Sequence, residues 1–161
     1  REMTKAAEIE ARLGEAGYPV KRVSKRRWRL RVETGVIKLF IEVVVGPTLL
    51  WVRTVGYLKI PSSMGNDKGL IDLILKTDGG LARFRPVLTA TGRLRGVEVT
   101  ACTPRQDLTR SQVQTLIEAV IESGVWQAPN FQAMTHGLPL PPAWPRGEDP
   151  SVGLLWSKDP M

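Results

Sequence analysis

The stretch from residue 26 to residue 55 constrains the fold most, because its apolar residues recur at every second position through three consecutive runs. Arg27, Arg29 and Arg31 alternate with Trp28, Leu30 and Val32. Strict period-two alternation marks a strand with one buried and one wetted face. Residues 33–35, Glu-Thr-Gly, form a short turn, and Val36 to Val45 follows with Ile37, Leu39, Ile41, Val43 and Val45 on one parity. Gly46-Pro47-Thr48 turns the chain again, since Pro presets φ and Gly accepts conformations closed to other residues. Leu49 to Val55 returns with Leu50 and Val52 on the buried side. The three runs read as an antiparallel meander.

On both sides of the meander the pattern changes to a helical period. Thr4 to Ala16 spaces Ala6, Ile9, Leu13 and Ala16 along one helix face, with Thr4 as the N-cap and Gly17 as the stop. Gly56 to Ile60 extends the third strand or leaves the sheet. Asn66 or Asp67 caps a second helix through Thr77, whose apolar face is Leu70, Ile71, Ile74 and Leu75. Ala82 to Leu88 and Arg93 to Cys102 read as a second hairpin. Pro86 sends its first strand to an edge or interrupts it, because Pro cannot donate to the ladder. In its second strand the apolar parity slips around Gly96, which predicts a bulge there. Thr109 caps a third helix, Arg110 to Ser123, which Gly124 closes, and Trp126, Phe131 and Met134 anchor the segment beyond.

The expected architecture is α+β: a two-layer α/β sandwich with a mainly antiparallel sheet, occupying residues 1–134. Residues 135–161 carry six of the 12 prolines and read as a Pro-rich tail, partly disordered or docked through Trp144 and Leu154-Leu155-Trp156. No apolar run approaches the roughly 20 residues that span a bilayer. A single cysteine and no signal-like start point to a cytoplasmic setting.

Charge is the feature that points outward. The chain has a net charge of +7, and residues 21–32 hold seven basic and no acidic groups. These are Lys21, Arg22, Lys25, Arg26, Arg27, Arg29 and Arg31, so one hairpin supplies the excess. A clustered charge of this kind calls for an acidic partner. By parity the outer sheet face adds Lys38 and Arg53 together with Phe40 and Trp51. Cations beside flat rings suit single-stranded nucleic acid. The same mixture suits an acidic, apolar peptide or a twofold subunit contact centred on Phe40 and Trp51. A third reading has the aromatics covered by the protein's own helices or tail, with the arginines as a solvated rim.

Catalytic machinery is not apparent. His136 is the only histidine, and Cys102 reads as a small buried hydrophobe near a strand end. Gly79-Gly80 lacks the spacing of a phosphate loop. The expectation is a protein that is not an enzyme, with no catalytic residue, metal ligand or cofactor.

The order of helix, strands, helix, two strands and helix resembles that of the YbjN-like proteins and the class I type III secretion chaperones. The matching segments are Thr4 to Gly17, the hairpin after it, Asp67 to Lys76, Phe84 to Cys102, and Thr109 to Gly124. The resemblance implies a non-enzymatic, chaperone-like adaptor, usually a homodimer, that holds an extended or disordered segment of a protein partner. Similar proteins in radiation-tolerant bacteria are associated with a single-stranded-DNA-binding repair protein, and the basic hairpin of residues 21–32 would suit the acidic tail such proteins often carry, or the nucleic acid itself. Secretion chaperones are typically acidic and this chain is basic, so YbjN-like is the better label. The resemblance supplies no strict motif and hence no site residue.

Overall fold

A computed structural model describes residues 4–35, 37–77 and 79–136, together with the backbone of residues 157–160. The fold is α+β, with helices and an antiparallel sheet. The meander forms as the alternation predicts: β2 (Arg27–Glu33), β3 (Lys38–Val45) and β4 (Leu49–Thr54) are neighbours in the sheet. They are preceded by α1 (Ala6–Glu15) and β1 (Lys21–Ser24). After them come β5 (Leu58–Lys59), α2 (Lys68–Lys76), β6 (Arg83–Leu88), β7 (Leu94–Pro104) and α3 (Arg110–Thr135). Residues Ser157–Pro160 form β8, which pairs with β2 from Leu30 to Glu33.

β7 extends the meander. One of its edges carries β4 and, further along, the short β5, and the other carries β6. Across the first turn, Thr34 Oγ1 donates to the Ile37 carbonyl and accepts from its N–H, which fastens β2 to β3. At the second, Gly46 N donates to Leu49 O at 2.8 Å. Residues 56–60 leave β4 at Gly56, whose φ of +65° suits glycine, and rejoin the sheet on β7.

Helices pack on one face of the sheet. Trp28, Leu30 and Val32, Leu39, Ile41 and Val43, Leu50 and Val52, and Val97 and Val99 are all buried there in one cluster with Ile9, Leu13, Leu70, Ile74, Val113 and Ile117. Phe84, Tyr57 and Phe131 interlock in it, with Phe84 and Phe131 ring centroids 5.3 Å apart.

Several details differ from the sequence expectations. Thr4 does not cap α1. Lys5 occupies that position without a side-chain bond, and Thr4 Oγ1 instead accepts from Leu108 N at 3.0 Å, joining the N-terminal segment to the loop before α3. α2 is capped by Asp67, whose Oδ1 accepts from Leu70 N, but its buried face is Leu70, Leu73 and Ile74. Leu75 points outward at 61% exposure. The bulge lies at Arg95: Val87 pairs with Gly96 and Leu88 with Leu94, leaving Arg95 extra. Gly96 itself is needed for a different reason, since a Cβ there would lie 2.8 Å from Leu58 O.

The largest correction concerns α3, which does not stop at Gly124 but runs on to Thr135 through Pro129. Gly124 serves a close approach and not a stop: a Cβ would meet the Tyr57 ring at 3.3 Å and Leu39 at 3.5 Å, and the Tyr57 hydroxyl donates to its carbonyl at 2.7 Å. Beyond it Val125, Ala128, Phe131 and Met134 continue the buried stripe, while Pro129 lies on the exposed side. Burial of that stripe outweighs the hydrogen bond that Pro129 cannot make. Phe131 and Met134 are thus buried helix residues, and Trp126 on the same helix is half-buried. The sequence boundary at residues 134 and 135 falls at the end of α3. Trp144 and the Leu154-Leu155-Trp156 cluster lie outside the described residues.

Candidate partner-binding face

The other face of the sheet carries the charge. Residues directly opposite in an antiparallel ladder share a face, so the register sorts the outer side chains into ranks that cross the strands. One rank is Arg27, Val44, Trp51 and Cys102. The next, about 7 Å along the strands, is Arg29, Glu42, Arg53, Thr100 and Arg83. Further on, Arg31 opposes Phe40, and Glu98 opposes Arg85. Arg27, Arg83, Arg85 and Cys102 are exposed, and Arg29, Arg31, Phe40, Val44, Trp51 and Arg53 are half-buried.

At the centre lies Glu42, only 2% exposed, holding three guanidinium groups. Arg53 Nη2 donates to Oε1 at 2.9 Å, Arg29 Nε donates to Oε2 at 3.1 Å, and Arg27 Nη1 stands 3.4 Å from Oε1. Burial alone raises the Glu42 pKa, but the hydrogen bonds from Arg53 and Arg29 and the charges of Arg53 and Arg27 outweigh it. The carboxyl is held below the usual range, so Glu42 is ionised. One carboxylate thus orders three arginines and leaves a local surplus of positive charge. A second carboxylate, Glu33, is shared between Lys38 at 3.4 Å and Arg31 at 3.8 Å. Arg83 and Arg85 have no carboxylate within ion-pair distance among the described residues.

The structure therefore brings together Arg27, Arg29, Arg53 and Trp51, and places Phe40 two ranks from Trp51, with Arg31 and Lys38 at the end of the face towards Glu33. Lys21 opposes Arg29 on the neighbouring edge strand, and Lys25 and Arg26 form the exposed hairpin turn. Arg22 is separated from this group. It opposes Trp28, its guanidinium lies 5.7 Å from the Trp28 ring centroid, and it reaches Ser24 O, Lys25 O and Glu10. Arg22 is a fastening of the β1–β2 hairpin to itself and to α1.

Three contributors escaped the sequence reading. Arg83 and Arg85 flank the buried Phe84 in period two, a signal that was legible, but their place beside Thr100 and Glu98 depends on β6 pairing with β7. Cys102 is exposed, not buried, because Ala101 and Val99 take the inward parity of β7 and Cys102 falls opposite Trp51. A shallow groove of about 250 Å³ runs over Trp51 between Arg27, Arg53 and Arg85. It continues past Thr100 into a larger one of about 840 Å³ walled by Leu75, Leu81 and Cys102.

Among the described residues no helix is long and apolar enough to cross a membrane, and no group of three or more His, Cys, Asp and Glu is placed to hold a metal ion. No protein-family model matches this chain, and no curated protein matches it as a relative.

Proposed function

We infer that the chain is a non-enzymatic, chaperone-like adaptor that holds an acidic, unstructured segment of a partner protein against the outer sheet face. The observation that carries this reading is the trio Arg27, Arg29 and Arg53 ordered on the single buried carboxylate of Glu42, beside the half-buried Trp51. The arginines are held in place before a partner arrives, so a partner's carboxylates meet fixed donors and less ordering entropy is lost on binding. The resemblance to YbjN-like proteins supports a two-layer, secretion chaperone-like sandwich, a homodimer and a cytoplasmic setting. It also supports the acidic tail of a single-stranded-DNA-binding repair protein as the segment held.

Direct binding of single-stranded nucleic acid is the second reading, favoured by Trp51 and Phe40 standing in ranks flanked by arginines. Bases stack on such rings while phosphates meet guanidinium groups.

Fluorescence anisotropy with a labelled acidic peptide and a labelled oligothymidylate separates the two. The adaptor reading expects the peptide to bind at low salt, to weaken as salt rises, and to be lost in Arg29→Glu/Arg53→Glu. Binding of the oligothymidylate alone would replace the adaptor with a nucleic-acid-binding protein. Binding of neither would remove both.

A further inference from the structure

The arginine face does not end at β7. Past Arg27 its rank continues through the uncharged side chains of Val44, Trp51 and Cys102, and the groove beyond is bounded by Leu75 at the end of α2 and Leu81 before β6. These leucines are 61% and 76% exposed, the two most exposed large apolar side chains of the described residues. Isolated surface leucines are ordinary. Here two of them face one concave groove together with a half-buried tryptophan, the arrangement of an anchor pocket for a large apolar side chain. Arg83 and Arg85 line the same groove and have no carboxylate partner among the described residues.

Resting on the adaptor reading, we propose that this groove is the anchor site for the bound segment. The segment carries one large apolar side chain, seated between Leu75, Leu81 and Trp51, with carboxylates beside it that meet Arg83 and Arg85. Charge complementarity selects this occupant: carboxylates beside the apolar side chain would meet two exposed guanidinium groups that have no carboxylate partner among the described residues. The anchor would also give a face of moderate charge its selectivity. Arginines accept any polyanion, whereas the apolar pocket rewards only a segment with a side chain to fill it.

Cys102 provides the test, because it is the only cysteine of the chain, is exposed, and lines the groove opposite Trp51. The probes are two labelled peptides of equal charge, one with a leucine between aspartate pairs and one with serine in its place. The leucine peptide is expected to bind about tenfold tighter or more, the scale of burying one such side chain, and to slow maleimide modification of Cys102. Leu75→Ser/Leu81→Ser, which alters only exposed side chains, should erase that preference and leave the affinity of the serine peptide unchanged. Arg29→Glu should weaken both peptides alike. Equal affinities with no protection of Cys102 would overturn the anchor while the adaptor reading stands. Failure of both peptides to bind would overturn both. Protection by oligothymidylate alone would assign the groove to nucleic acid. A concentration-dependent dimer in sedimentation that Leu81→Asp dissociates, with Cys102 protected in the dimer, would assign it to a second copy of the chain.

Discussion

Arg53 on β4 lies directly opposite Glu42 on β3, and its Nη2 donates to the Glu42 carboxylate at 2.9 Å across the ladder. Arg29, opposite Glu42 from the other side, completes a bridge of three strands through one buried acid. Glu42 is thus a fastener of β2, β3 and β4 as well as the organiser of the arginine face.

Replacing that acid separates the two roles. Glu42→Gln should lower stability by about 1–2 kcal/mol, since breaking a buried pair is costly but the arginine partners retain solvent. The same change removes a negative charge from the face, so it should tighten the binding of an acidic peptide at low salt. Urea unfolding and anisotropy read the two effects; weaker peptide binding in a folded Glu42→Gln variant would contradict the second.

Acid should act through the same residue. The Glu42 pKa in the folded state is below its unfolded value, so its contribution is complete above the unfolded carboxyl range of about 4.3 and is lost as pH falls through the lower folded value. The urea midpoint of the wild type should fall more steeply than that of Glu42→Gln between about pH 5 and pH 3. Parallel curves would show that the carboxylate contributes nothing.

Both tyrosines are buried, and burial pushes the Tyr18 and Tyr57 phenols well above their ordinary value, with the charge of Glu118 adding to the effect at Tyr18. A raised folded value favours the neutral phenol, so this stability is complete below about pH 10 and fades as pH rises beyond it. Tyrosinate absorbance should therefore appear together with alkaline unfolding. A tyrosinate band rising at the ordinary value in the folded protein would contradict the packing of Tyr57 against Gly124 or the burial of Tyr18.

Gly96→Val should destabilise the fold by about 1–3 kcal/mol through overpacking, because a Cβ at this position meets the Leu58 carbonyl. The damage should centre on β5, seen as faster amide exchange at Leu58 and Lys59. Unchanged exchange there would place the crowding elsewhere.

Thr109→Ala should cost about 1 kcal/mol by removing the N-cap of α3. Thr109 Oγ1 accepts from Gln112 N while Gln112 Oε1 accepts from Thr109 N. Gln112→Ala should lose less once Thr109 is already Ala, a coupling that a double-mutant cycle measures. Strict additivity would mean that the two bonds are independent.

Local pattern alone determined the meander. The parity of Trp28, Leu30 and Val32 against Arg27, Arg29 and Arg31 requires no knowledge of the remainder of the chain, because side chains of a strand alternate whatever it pairs with. The same holds for the Thr109 cap and for the arginines that share a face, whereas local pattern left Asn66 and Asp67 as alternative caps of α2 and left Pro86 either placing its strand at an edge or interrupting it. What tertiary structure decided was adjacency. That Arg83 and Cys102 join the face of Arg29 and Trp51 follows from β7 pairing with β4 on one side and β6 on the other, and such pairing is a long-range choice. Gly124 reads as a helix stop from its neighbours in sequence, and becomes a contact only because Tyr57 and Leu39 arrive from 67 and 85 residues away. Sequence period sets which way a side chain faces; the burial gained across the whole molecule sets what it meets there.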